Sequence, residues 1–113
     1  MRRLGPLAIL LLLIGCVSYS PWKLTSNSTI VTREIAVANE QILRYKCNQI
    51  HLPNSATLNG CIFRLPDFSI IFYRTDRTEW QIQCTLRHER AHAAGWTHEE
   101  AYVNDCGPDE FKE

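Results

Sequence analysis

The chain has 113 residues, 45 % of them apolar, which is enough for one small globular domain and too few for a second. Its twelve basic and twelve acidic residues balance, so no global field recruits a polyanion and nucleic acid is not an expected partner.

At the amino terminus, Arg2 and Arg3 precede an apolar run from Leu7 to Ile14 that ends in Gly15 and Cys16. Eight apolar residues fall short of the about 20 that span a bilayer. Residues 1–15 therefore read as a cleaved export leader. The segment Leu13-Ile14-Gly15-Cys16 resembles the lipobox of bacterial lipoproteins. That resemblance implies that Cys16 becomes the lipidated first residue of the mature chain, holding it to a membrane by acyl chains. Val17 and Ser18, which follow in place of an aspartate, imply by the same resemblance the periplasmic face of the outer membrane. Plain secretion after ordinary leader cleavage is the alternative. Residues 16–29 are polar and rich in turn formers, as a tether requires, which leaves residues 30–113 for the folded domain.

Ile30, Val31, Ile35 and Val37 form a β-branched run that predicts a first strand. Asn39 is placed to cap a short helix whose first turn carries Glu40 and Gln41 and whose apolar side is Ile42, Leu43 and Tyr45, ending near Cys47. Residues 48–60 hold Pro53, Asn54, Ser55, Asn59 and Gly60 and read as a loop. Cys61–Leu65 and Ser69–Arg74, joined by Pro66-Asp67-Phe68, predict an antiparallel hairpin. After the turn at residues 75–78, Glu79–Ala94 has no Gly or Pro and predicts a longer helix, which Gly95 ends in a left-handed conformation. The expected fold is α+β, a small antiparallel sheet packed on that helix. Trp80, Trp96 and Phe72 read as core or rim aromatics.

Four cysteines remain beyond Cys16: Cys47, Cys61, Cys84 and Cys106. An even number in an exported domain reads as two disulfides, and no CxxC spacing suggests a cysteine-based zinc site. Pairing Cys84 with Cys106 would draw the C-terminal tail across the longer helix while Cys47 with Cys61 closed the preceding loop; Cys61 with Cys84 is the competing arrangement. Cys84 lies four residues before His88, so a thiolate ligand is conceivable as well.

The chemistry gathers at His88-Glu89-Arg90-Ala91-His92-Ala93-Ala94-Gly95-Trp96-Thr97-His98. Residues four apart on a helix differ by about 40° around its axis, so His88 and His92 share a face and can grip one ion. Glu89 adjoins them, placed to hydrogen-bond a water rather than to chelate, and a sharp turn at Gly95 brings back His98 as a third ligand. Three protein ligands with an open fourth position define a catalytic Zn2+ site. By composition HExxH arises in a chain this long about three times in a thousand, and the added Gly and His lower that about a thousandfold.

These eleven residues resemble the long motif of the metzincins, within the zincin metallopeptidases. The resemblance implies a zinc peptidase in a minimal zincin-like domain, with His88, His92 and His98 as ligands and Glu89 as general base. It also implies that an edge strand, Ser69–Arg74 in this chain, aligns an extended peptide substrate, and that Tyr102 stabilises the oxyanion; for Tyr102 a packing role is the simpler expectation. The chain's one methionine is Met1, so the likeness does not extend to a methionine turn. In a domain this compact, Glu99, Glu100 or Asp105 could replace His98 as third ligand. The competing function is a non-catalytic zinc-binding or disulfide-stabilised envelope lipoprotein with an interaction role, which requires a fourth protein ligand or no metal.

Overall fold

The computed structural model describes residues 20–25, 27–50, 57–99 and 103–113. The leader, Cys16, Glu100 and Tyr102 lie outside the described residues. Five strands and two helices are described in the order β1 (Trp22–Leu24), β2 (Ile30–Val37), α1 (Glu40–Lys46), β3 (Gly60–Arg64), β4 (Phe68–Arg74), α2 (Glu79–Ala93) and β5 (Trp96–His98). The fold is α+β, as expected, and no described helix is long and apolar enough to cross a membrane.

Strand β4 is central because its run Ile70-Ile71-Phe72-Tyr73 is apolar on both faces. Ile71 and Ser69 are fully buried. The expected hairpin is present: β3 pairs antiparallel with β4, Gly60 opposite Tyr73 and Arg64 opposite Ser69. On the other side, however, β2 runs parallel to β4 from Ile30 opposite Phe68 to Val37 opposite Arg74. The sheet is therefore mixed, in the order β2-β4-β3, rather than wholly antiparallel. The connection between β2 and β4, which includes α1 and β3, is long enough for a parallel return, whereas a tight turn would enforce antiparallel pairing. A second correction follows. Ser69–Arg74 cannot be the edge that aligns a substrate, because it is paired on both sides; the edges of this sheet are β2 and β3, of which β3 lies more closely against α2.

Asn39 caps α1, its side chain accepting from the Ile42 amide at 2.9 Å. Of the apolar side expected on this helix only Leu43 is buried, packing with Val37 and Cys47 and against Leu58, Cys61 and Phe72. Ile42 and Tyr45 face solvent. The Cys47–Cys61 disulfide joins the end of α1 to β3 within this core, and Cys84–Cys106 joins α2 to the C-terminal segment. Thr78 and Gln81 form a reciprocal capping box at the start of α2. The helix packs on β3 and β4, and Arg90 fastens it further through Glu34 of β2, at 2.6 and 2.8 Å, and Glu113 at 2.8 Å.

Part of the segment expected as a tether, residues 16–29, is built into the described fold. Trp22, Lys23 and Leu24 pair antiparallel with His98, Thr97 and Trp96. Thr25 then donates from both its amide and its hydroxyl to the Gly95 carbonyl, at 2.7 and 2.6 Å, and the Thr29 amide donates to the Ala93 carbonyl. The signal was the alternation of two apolar residues about Lys23, too short to stand out from its polar surroundings.

Candidate metal centre

Helix α2 carries His88 and His92 on one face, and β5 returns His98 against them. The return depends on Gly95, whose φ of 101° is left-handed and whose absent side chain leaves room for the backbone of Thr25 and Asn27. The ligand nitrogens of the three histidines lie within 4.8 Å of one another, forming a group that could hold a metal ion. His88 Nε2 and His98 Nε2 are 3.4 Å apart. At metal–nitrogen bonds of about 2.0–2.1 Å, the edge of a tetrahedron is about 3.3–3.4 Å, so these two atoms already have the separation of ligands on one ion.

The remaining ring nitrogens explain how that arrangement is held. His88 Nδ1 lies 2.7 Å from the Asp105 carbonyl and His92 Nδ1 lies 2.9 Å from the Trp96 carbonyl. A carbonyl can only accept, so both Nδ1 atoms carry the proton and each Nε2 presents a lone pair. Burial, with the cost of charging rings beside one another, pushes His92 down to about 4, and burial lowers His88 as well despite its bond to Asp105. Both are neutral at physiological pH, as ligation requires.

Trp22 is the feature that sequence reasoning missed. It is only 6 % exposed, and its ring lies 4.9, 5.0 and 4.6 Å from those of His88, His92 and His98. Its Nε1–H donates to both carboxylate oxygens of Asp105 at 3.0 Å, and Asp105 in turn accepts from His88 through its carbonyl. Asp105, one of the alternatives for third ligand, is thus occupied in positioning His88, and its carboxylate is 3.6 Å from His88 Nδ1, on the side of the ring away from the Nε2 atoms. Glu99, another alternative, is exposed and faces Lys23 at 3.7 Å. Among the described residues, His98 is the one that completes the group.

Glu89 is 6 % exposed and lines the same cleft as the three histidines, a cavity of about 610 Å³. Burial pushes its carboxyl up to about 8. Gly60 permits the close fit here: a Cβ at that position would lie 2.7 Å from the Thr85 methyl, 3.0 Å from the Phe72 carbonyl and 3.5 Å from Glu89 Cγ. The edge strand β3 consequently runs directly beside the helix at the level of the carboxyl. Cys84 is committed to its disulfide with Cys106 and is no ligand.

In comparisons with known proteins, no family model matches the chain, and no curated protein or solved structure does. The functional reading therefore rests on the residues themselves.

One consequence concerns Trp22. Trp22→Phe keeps ring packing on the histidines but removes the donor to Asp105, and is expected to weaken divalent-metal binding about 10-fold. Trp22→Ala leaves a cavity and is expected to destabilise the fold by about 3–5 kcal/mol. Chelator competition and denaturant unfolding measure the two effects; wild-type behaviour of both variants would remove β1 from the site.

Proposed function

We propose that the chain is a zinc metallohydrolase, a peptidase of the zincin type, working in the bacterial cell envelope. The observation that carries this reading is the 3.4 Å separation of the His88 and His98 Nε2 atoms, next to a His92 whose tautomer is fixed in the same sense and a buried carboxyl in the same cleft. Three nitrogen donors fit zinc, and among the described residues no fourth protein ligand joins them. That favours a catalytic site over the structural staple, which needs four.

Zinc held there would supply a Lewis acid, polarising a peptide carbonyl and acidifying water. The chain's own residues supply the rest. Glu89, which burial alone keeps protonated below about 8 and which a cation held by the histidines would ionise, accepts the proton of the attacking water and returns it to the leaving amine. The free edge of β3 offers main-chain groups with which an extended peptide can pair beside the helix. His88 and His92 hold their orientation through the Asp105 and Trp96 carbonyls, so little reorganisation accompanies the reaction.

Two disulfides are consistent with an oxidising compartment. Lipidation at Cys16 would place the anchor six residues before Trp22, a span of at most about 20 Å, and hold the cleft close to the membrane surface.

The test is metal content and dependence. The purified, oxidised chain is expected to bind one zinc ion and to cleave peptides. A chelator should abolish cleavage and added zinc should restore it. A folded chain that retains no zinc, or whose peptide cleavage is indifferent to chelation, overturns the proposal.

A further inference from the structure

The cleft continues beyond the histidines along α2 to Arg77 and Trp80 at the start of the helix. Arg77 differs from Arg74 and Arg90. Arg74 holds Asp76 through two bonds and Glu40 through a third, and Arg90 holds Glu34 and Glu113. Arg77 lines the cleft with its Nε buried and unpartnered, and none of the described ion pairs includes it. Of the acids beside it in the chain, Asp76 is held by two bonds from Arg74 and attracts Arg77 only weakly and without a described hydrogen bond, and Glu79 accepts from the Gln83 amide at 3.0 Å. A buried donor without a partner is costly unless a ligand satisfies it. Beside it, Trp80 leaves 70 % of its surface in solvent, a large exposed indole of the kind that gains by being covered.

We infer that Arg77 forms a subsite for the carboxylate of an acidic side chain in the substrate, so that the cleft selects peptides carrying Glu or Asp at a distance from the scissile bond. This deepens the peptidase reading and rests on it. A guanidinium pairs with a carboxylate through two parallel N–H bonds, which amide side chains cannot match. The position on the helix sets the spacing. From Glu79, the first helical residue, to His88 is about 14 Å along the axis, which an extended peptide at about 3.3 Å per residue covers in four to five residues. The selected side chain therefore lies four to five residues from the bond above the metal centre, too far for a terminal carboxylate adjoining that bond to reach. Trp80 covers the peptide between the two points.

The test uses two blocked, fluorescent decapeptides of alanine and glycine, one with Glu at alternate positions and the other with Gln there. Binding to the metal-free full chain is followed by anisotropy, where no zinc-dependent cleavage competes. The Glu peptide is expected to bind about tenfold more tightly than the Gln peptide. Arg77→Gln should equalise the two without changing the affinity for the Gln peptide or the thermal midpoint, and Arg77→Lys should restore part of the preference. Equal affinities in the parent, a preference that survives Arg77→Gln, or no binding of either peptide at millimolar concentration each overturns the subsite. Failure of the metallohydrolase reading shows separately, as absent zinc or absent hydrolysis in a chain that still prefers the Glu peptide.

Discussion

Glu89→Gln is expected to leave zinc content and fold unchanged while lowering peptide hydrolysis by about 10²- to 10⁴-fold, the usual contribution of a positioned general base. Glutamine matches the volume of glutamate, so packing against Thr85 and Gly60 survives. No described hydrogen bond is lost with the carboxyl, and a neutral amide suits a position only 6 % exposed, where burial already favours the neutral form of the carboxyl. The same substitution has a signature in the metal-free chain. Burial raises the Glu89 carboxyl from an ordinary value near 4.5 to about 8, so above 4.5 the folded chain keeps a proton that the unfolded chain has released. The stability this contributes is complete below 4.5 and is lost as pH rises through 8. His92 acts in the opposite sense: its folded value of about 4 lies below its ordinary 6.5, so it adds stability with rising pH, and that gain is complete by 6.5. Between pH 6.5 and 8 the Glu89 slope is the one that remains. Denaturant unfolding with chelator present should therefore show the parent losing stability across this window and Glu89→Gln holding level. Hydrolysis at the parental rate by the zinc-loaded variant would sink the assigned role of Glu89.

The parts of this molecule that were legible in the sequence are those whose determinants lie close together in the chain. Helix α2 announces itself by the turn at residues 75–78 at one end and Gly95 at the other, and its histidines share a face because helical spacing dictates it. The β3–β4 hairpin follows from two apolar runs with a short polar turn between them. Both disulfides join the cysteines as first arranged, Cys84–Cys106 holding the tail to α2 and Cys47–Cys61 joining the end of α1 to β3. What the sequence concealed depends on partners far along it. Strand β1 is three residues of little intrinsic preference, and its ladder forms with residues more than 70 positions later. The parallel placement of β2 reflects a crossover, which no local pattern encodes. Arg77 reads in the sequence as part of a turn, and its unpartnered Nε becomes apparent only when the hydrogen bonds around it have been traced in three dimensions. Tertiary partners decided each of these, and β1 builds the site: without it there is no Trp22 behind the histidines, and without Trp22 Asp105 keeps the Gly107 amide but loses the indole donor that steadies it against His88.

That dependence makes Gly95→Ala the most damaging small change expected at the centre, although Gly95 touches no ligand atom. A methyl group there would lie 2.5 Å from the Asn27 carbonyl oxygen and 3.1 Å from that of Thr25. Both are backbone atoms that cannot swing aside as a side chain would. A φ of 101° adds strain for any residue with a Cβ. Relief requires Thr25 and Asn27 to move off the end of α2, breaking both bonds from Thr25 to the Gly95 carbonyl and loosening the ladder that places His98. A loss of about 3 kcal/mol is expected, seen as a fall of about 12–24 °C in thermal midpoint for a domain of this size. Zinc affinity should drop by at least about 100-fold, since a displaced ligand costs more than the about 10- to 100-fold typical of a lost supporting group. His98→Ala provides the control that separates the two effects. It removes the donor but keeps the turn, so it should reproduce the loss of zinc while the metal-free chain unfolds near the parental temperature. Parental zinc affinity in Gly95→Ala would mean that β5 does not deliver the third ligand, and the metal centre would then have to be completed from another part of the chain.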